Sequence, residues 1–300
     1  MDDCSCDRSI EIIQSILTEF PERAENTTII AQKNNQGVAV ARNIGLSKAR
    51  GQYVMFCDSD DWLDLCMLEK MYNTIKSKDA DVAMCDFYMV FKDKKNLFQM
   101  PVWHSNNKIL SLRKYIQFIW NVVWNLLIKR EVCIKYNLYF SVGHAYCEDF
   151  NFSVKLLDTA KSVVNVSEPL YYYNRLNIDS VMYKIWHGND FPFKENAMRD
   201  EQMMYLDVIQ WFERKNTLVH YQKELSWRIL KSKQEWILNP ATFADFMALF
   251  PASHKYIWSC PFIGAKLKVM MWCLTHHLET ILILILRMRN IKNKLVYILK

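Results

Sequence analysis

Two hydrophobic periodicities alternate between residues 10 and 90, and this alternation restricts the chain to few folds. "IEIIQSILTEF" (10–20) puts Ile12, Ile13, Ile16, Leu17 and Phe20 at helical spacing. "TTIIAQ" (27–32) is short and β-branched, which predicts a strand. "VAVARNIGLSKAR" (38–50) sets Val38, Ala41, Ile44, Gly45 and Ala49 on one helical face, with Gly51 placed to stop the helix. "QYVMFCD" (52–58) predicts a buried strand that ends in carboxylates. A helix to residue 78 follows, and "DVAMCDFYMV" (81–90) predicts another strand. Helices alternating with short buried strands imply an α/β fold with a mostly parallel sheet covered on both faces.

The pattern changes after residue 110. "RKYIQFIWNVVWNLLIKREVCIKY" (113–136) reads as helical and aromatic-rich, and "CEDFNFSVKLLDTA" (147–160) as a helix. "SVVNVSEPLYYYN" (162–174) reads as a strand and turn, and residues 190–250 as further helices without evident chemistry. With 300 residues, 51% of them hydrophobic, the chain can bury a large core in one large domain or two modest ones. The nine cysteines are odd in number and mostly lie inside apolar runs, with no signal-peptide pattern before them. They read as reduced thiols of a cytoplasmic protein. Cys4-x-Cys6 lacks a second pair or a His cluster at metal-ligand spacing.

Charge is segregated. In residues 261–300, Lys266, Lys268, Arg287, Arg289, Lys292, Lys294 and Lys300 face Glu279 alone, so this segment carries the whole net charge of +6. Residues 1–260 are balanced, which argues against a nucleic-acid binder. The longest uninterrupted apolar run of the tail, Ile281–Leu286, is too short to cross a bilayer. An amphipathic helix lying in the membrane interface fits this mixture, and a helix docked on the protein's own core is the alternative.

Two acidic motifs could carry chemistry. In "CDSDDW", Asp58, Asp60 and Asp61 crowd three carboxylates at a strand end, where open α/β sheets bind ligands. Such a cluster suits a hard divalent ion carrying phosphates, or is a solvated turn. It is not an EF-hand, because no Gly at loop position six and no closing Glu follow. In "CEDFNF", Glu148 and Asp149 open a helix, where an acidic pair either favours the helix dipole or serves as a general base. "LTHHLE" (274–279) is not an HExxH site, and neither a P-loop nor Gly-x-Ser-x-Gly occurs.

Taken in order, "DDCSCD" (2–7), "NNQGVAVARNIGLSKARGQYVMFCDSDDWL" (34–63), "WNLLIKRE" (124–131), "EDFNFSVKLL" (148–157) and "PLYYYNR" (169–175) resemble the motifs of bacterial family 2 glycosyltransferases. The resemblance covers residues 2–180 and implies a GT-A fold and inverting sugar transfer. It also implies that the first two strands and the helix between them, about 30 residues, are missing ahead of Met1, so a non-catalytic remnant or binding module is the competing expectation. It suggests a nucleotide-sugar half in residues 1–105, an acceptor half in 106–185 and a helical C-terminal region in 186–300. Carried over residue by residue, Asp2 and Asp3 resemble the contact to the base, and Arg42 the helix residue facing the nucleotide. Asp58 and Asp60 resemble the motif for the ribose and a diphosphate-bound Mn²⁺ or Mg²⁺. Asp149 resembles the catalytic base, with Glu148 second. Leu126 stands where family members commonly carry Lys. The implied partners are a nucleotide-sugar donor, UDP-linked in the family's usual manner, and a lipid-linked or cell-surface glycan acceptor. The expected location is the inner face of the bacterial membrane, reached through residues 261–300.

Overall fold

The computed structural model describes residues 1–144, 146–180, 182–184, 191–284 and 286, apart from the side chains of 191–195. One mixed sheet organises the first 180 residues. Its strands are β1 (Tyr53–Val54), β2 (Trp62–Leu63), β3 (Val82–Val90), β4 (Lys95–Phe98), β5 (Leu126–Lys129) and β6 (Val163–Asn174). The order is β1-β5-β3-β6-β2, and β4 forms a hairpin with the distal half of β3. Only β3 and β6 run parallel; β1–β5, β3–β5, β3–β4 and β2–β6 are antiparallel. The α/β class holds, and the expectation of a mostly parallel sheet is corrected to a mixed one.

The correction has a local cause. "LLIK" looked like part of a long helix, but four apolar residues fit the slot between β1 and β3, where Leu126 pairs with Met84 and Ile128 with Val82. Here the tertiary slot overrides the helical reading of residues 113–136. The segment instead divides into α5 (Lys108–Gln117), an irregular stretch, β5 and α6 (Arg130–Lys135). Two other strands are shorter than expected. "QYVMFCD" keeps ladder pairing only at Tyr53–Val54, and "TTIIAQ" is reduced to a single parallel bridge between Asp2 and Ala31. Gly51 is not the helix stop, since α3 (Val38–Lys48) ends as Ala49 turns extended.

Helices cover both faces. α1 (Ser9–Glu19) forms as expected, but neither it nor the short α2 (Pro21–Ala24) buries a side chain. α4 (Met67–Ser77) seats Met67, Met71 and Ile75 on β3 and β6. α7 (Glu148–Thr159) is buried on nearly every side, because α5 packs on one flank and α8 (Phe191–Arg214) on the other. α9 (Gln222–Ser232) then joins two cores: Leu225 and Ile229 belong to the sheet core, and Leu230 to a second core. That second core comprises residues such as Trp236, Phe246, Ile257, Met271 and Leu282, drawn from α10 (Phe243–Ala248), α11 (Ala265–Thr275) and the segments around them.

Two buried cations anchor the C-terminal helices. Arg228 donates to the carbonyls of Phe118 (2.8 Å) and Ile116 (3.3 Å) and to Asn121 Oδ1 (2.6 Å), which closes the carboxyl end of α5. Its guanidinium also lies 4.4 Å from the Phe150 ring of α7. Lys233 is fully buried. Its Nζ donates to the Leu249 carbonyl and sits 3.2 Å from His254 Nε2 and 4.3 Å from the Phe246 ring. Among the described residues no carboxylate pairs with it, and burial lowers its pKa to about 7.

A lysine whose pKa is lower folded than unfolded binds fewer protons in the native state. Stability must therefore rise as pH climbs from about 7 toward the unfolded value of about 10.4, at up to about 1.4 kcal/mol per pH unit. Lys233→Met is expected to flatten that rise. Urea denaturation of both proteins at several pH values between 7 and 10 checks this, and parallel pH profiles would refute an uncharged native Lys233.

Candidate active site

Arg42 is the centre of the site. It lies on the second turn of α3, and the turn before that helix is shaped by Gly37, whose φ of +89° suits glycine. Three carboxylates from distant parts of the chain converge on its guanidinium. Nη2 lies 2.9 Å from Asp58 Oδ1, and Nη1 lies 2.9 Å from Glu148 Oε1 and 2.5 Å from Asp149 Oδ1. The Phe140 ring lies 5.3 Å from the same guanidinium. Phe140 is itself held by Asn43, the neighbour of Arg42, through a reciprocal pair of hydrogen bonds of 2.9 and 2.8 Å.

The electrostatics follow from this arrangement. Burial opposes the charge on Arg42, but Asp149, Asp58 and Glu148 outweigh it and raise its proton affinity. Burial pushes the Asp149 carboxyl well above the usual range. Arg42 pulls it the other way, and Glu148 and Asp58 push it up again. One guanidinium therefore faces three carboxyl groups. Cys147, in the left-handed region at φ +71°, turns the chain so that Glu148 and Asp149 both reach Arg42.

A second group of contacts immobilises the Asp58–Asp61 loop, and the sequence had assigned no role to the residues that make it. The carboxyl end of β6 acts as a splint. The Tyr171 hydroxyl donates to Asp61 Oδ2 (2.7 Å) and accepts from the Asp58 amide (3.2 Å). The Asn174 amide donates to Asp61 Oδ1 (2.7 Å), and its side chain donates to the Asp60 carbonyl (2.9 Å). Asn177 Nδ2 donates to Asp60 Oδ2 (2.7 Å). Burial pushes Asp61 up to about 7 against these hydrogen bonds, so Asp61 serves as an anchor, while Asp58 pairs with Arg42 and the Asp60 carboxylate meets Asn177. The only trace of this in the sequence was the "YYYNR" of the last motif.

The remaining expected residues lie elsewhere. Asp3 accepts from the Gln36 amide (2.8 Å), the Gly37 amide (2.7 Å) and Gln32 Nε2 (2.7 Å), and so fixes the turn before α3. Asp2 turns its carboxylate to Ser5. Among the described residues, no hydrogen bond or ion pair joins Asp2 or Asp3 to the Arg42 group. Leu126 is fully buried within β5. Also among the described residues, no three His, Cys, Asp or Glu side chains converge to hold a metal by themselves. Asp58 and Asp60 still suit Mn²⁺ or Mg²⁺, because such ions bind through one or two carboxylates and take further oxygens from phosphates and water.

Residues 1–136 match the family model for glycosyl transferase family 2. The chain is 28% identical over 195 residues to the uncharacterized glycosyltransferase EpsJ of Bacillus subtilis, an alignment covering 61% of this chain and 54% of EpsJ. It is also 28% identical to the cholesterol galactosyltransferase of Borreliella burgdorferi, over 58% of this chain and 49% of that protein. The chain thus spans about half the length of these relatives. In fold it is similar to residues 1–349 of Staphylococcus aureus TarS, solved in complex with UDP-GlcNAc. That likeness has a TM-score of 0.63 at 17% identity and covers 91% of this chain and 76% of the other. The domain match, the curated relatives and the shared architecture agree: residues 1–136 carry the family 2 glycosyltransferase match, and the fold is GT-A-like.

Proposed function

We propose that this protein transfers a sugar, with inversion, from a UDP-linked donor to a hydroxyl of a lipid-linked or cell-surface glycan precursor. The observation that carries the reading is the convergence of Asp58, Glu148 and Asp149 on Arg42. It brings the acidic loop after β1 and the acidic pair of α7 to one point, although they lie about 90 residues apart in the chain. That is the juxtaposition a donor diphosphate and an acceptor hydroxyl require. The TarS structure with UDP-GlcNAc supports a nucleotide-sugar donor by similarity of fold. Residues 1–105 serve the nucleotide sugar and residues 106–185 the acceptor. The helices from residue 191 onward support α7, and residues 261–300 bring the enzyme to the inner face of the cell membrane.

In this mechanism Asp149 accepts the proton of the acceptor hydroxyl while that oxygen bonds to the anomeric carbon. The bond from that carbon to the diphosphate oxygen breaks on the opposite face. Burial suits Asp149 to the task, because it raises the affinity of the carboxylate for a proton. Arg42 holds the base in position before the donor arrives, and Glu148 shares the same guanidinium. Asp58 and Asp60 would hold a divalent ion, which when bound supplies charge neutralisation to the leaving diphosphate. Asp2 and Asp3 would meet the nucleotide's base, and Asp3 also fixes the turn that starts α3.

Asp149→Asn is expected to lower transfer by about 10²-fold or more, the scale for loss of a general base, with UDP affinity nearly unchanged. Transfer is read as UDP release from a panel of UDP-sugars in the presence of bacterial lipid extract, and affinity by calorimetry. Wild-type transfer by this variant would remove Asp149 from the role of base. Glu148→Gln is expected to cost less than Asp149→Asn.

Metal-dependent binding provides a separate test. Asp60→Asn is expected to abolish the gain in UDP affinity that Mn²⁺ gives. Tyr171→Phe, which deletes only the hydroxyl on Asp61 and the Asp58 amide, is expected to weaken Mn²⁺-dependent UDP binding about tenfold, the scale of a hydrogen bond to a charged group. Its melting temperature should stay within a few degrees of wild type. Unchanged UDP titrations for both variants would show that the loop is not a metal-diphosphate site.

A further inference from the structure

α11 is apolar on two opposite faces. Met270, Met271 and Leu274 point into the second core. On the outer side, Val269 (46% exposed) and Trp272 (37%) form a stripe one turn apart, continued by His276 stacked on Trp272 at 4.2 Å. Trp258 (57% exposed) joins this surface, because Lys268 Nζ donates to its carbonyl at 3.0 Å. Beyond the turn at His276–His277, Ile281 and Leu284 are further exposed apolar side chains on residues 279–284, which are helical and bury Leu282 on the other side. A helix with an apolar outer face lacks a partner in water.

The chemistry of the rim identifies that partner. Lys266 and Lys268 stand on the same helix as Val269 and Trp272, and residues 261–300 carry the whole net charge of +6. The middle of a protein–protein interface is depleted of lysine. Exposed tryptophans flanked by lysines instead match the boundary of a lipid bilayer, where the ring lies at headgroup depth and the ammonium meets anionic phosphate. No helix among the described residues is long and apolar enough to cross a membrane, so the fit is to a helix lying in the plane of the surface.

We propose that the outer face of α11, with Trp258 and the 279–284 segment, is a docking surface for an anionic bilayer. Trp258, Val269, Trp272, Ile281 and Leu284 enter the headgroup boundary, and Lys266 and Lys268 bind lipid phosphates. This deepens the membrane-seated reading of residues 261–300 by naming the contact surface. Vesicle binding requires no sugar transfer, so either claim can fail while the other stands.

The test is flotation of the full chain with vesicles of phosphatidylcholine alone or mixed with phosphatidylglycerol. Wild type is expected to float with the anionic vesicles only, and less at high salt. Lys266→Glu with Lys268→Glu is expected to lower binding about 25-fold or more, at about fivefold per lysine. Val269→Ser with Trp272→Ser is expected to lower it about tenfold by removing apolar area. All four side chains are on the surface, so melting curves should coincide with wild type, and the lysine pair decides the matter if the apolar pair does not fold. Binding unchanged in the variants, equal flotation with neutral vesicles, or no flotation of wild type each overturns the proposal. So does a self-association in solution that Val269→Ser with Trp272→Ser abolishes without effect on flotation.

Discussion

The site depends on a single guanidinium. Asp58 and Glu148 both raise the proton affinity of the buried Asp149, and an opposite charge is needed to hold the three carboxyl groups together. Arg42 meets all three with two nitrogens at 2.5–2.9 Å. Removal of one partner from a buried ion group typically costs about 3–5 kcal/mol, because the remaining charges stay buried without compensation. The loop after β1 and the start of α7 are therefore tied by charge, and the Asn43–Phe140 hydrogen bonds and the Phe140 ring keep Arg42 aimed at them. As the proposed base, Asp149 is limited while it remains paired with Arg42, since a bound cation lowers the appetite of a carboxylate for a proton.

The splint from β6 addresses a different requirement. A loop of three carboxylates would repel itself apart without fixed partners. Asp61 is used up internally on Tyr171 and Asn174, and burial keeps it near protonation at neutral pH. That reduces repulsion on Asp58 and Asp60. Trp124 stacks on Tyr171 at 4.1 Å and holds the ring that carries the hydroxyl. The loop geometry is thus set by a strand more than 100 residues away.

Legibility in the sequence followed the range of the interactions. α1, α3, β3 and α7 were readable because a local periodicity and a local burial pattern agree there. β5 was not, because four apolar residues inside an aromatic-rich run carry no period, and only the gap between β1 and β3 makes them a strand. The residue types of the site were legible as acidic clusters and, through family resemblance, as a set. Their convergence on Arg42 was not, since no spacing encodes an ion group built across more than 100 residues. Asp3 was legible as a candidate ligand contact, but the two backbone amides that its carboxylate holds in the turn before α3 were not.

The helices beyond residue 190, which showed no chemistry in sequence, bear directly on the site through α7. Asp207 of α8 accepts from Asn151 Nδ2 (2.9 Å) and pairs with Lys155 (2.5 Å), while Asp158 takes Trp211 Nε1 (2.8 Å) and Lys215 (2.5 Å). Arg228 of α9 packs over Phe150, the residue after Asp149, and ties α5 to it. α7 is therefore gripped along its length by a region outside the family match. As the proposed base, Asp149 must be held to within a fraction of an ångström of its working position. α5 holds one flank of α7 and α8 the other, with Arg228 of α9 on Phe150. If the surface of α11 lies on a bilayer, the same second core that carries α11 continues through α9 into this grip. The contact with the membrane and the orientation of the base would then be set by one connected stack of helices, with Ile229 and Leu230 at the junction of the two cores.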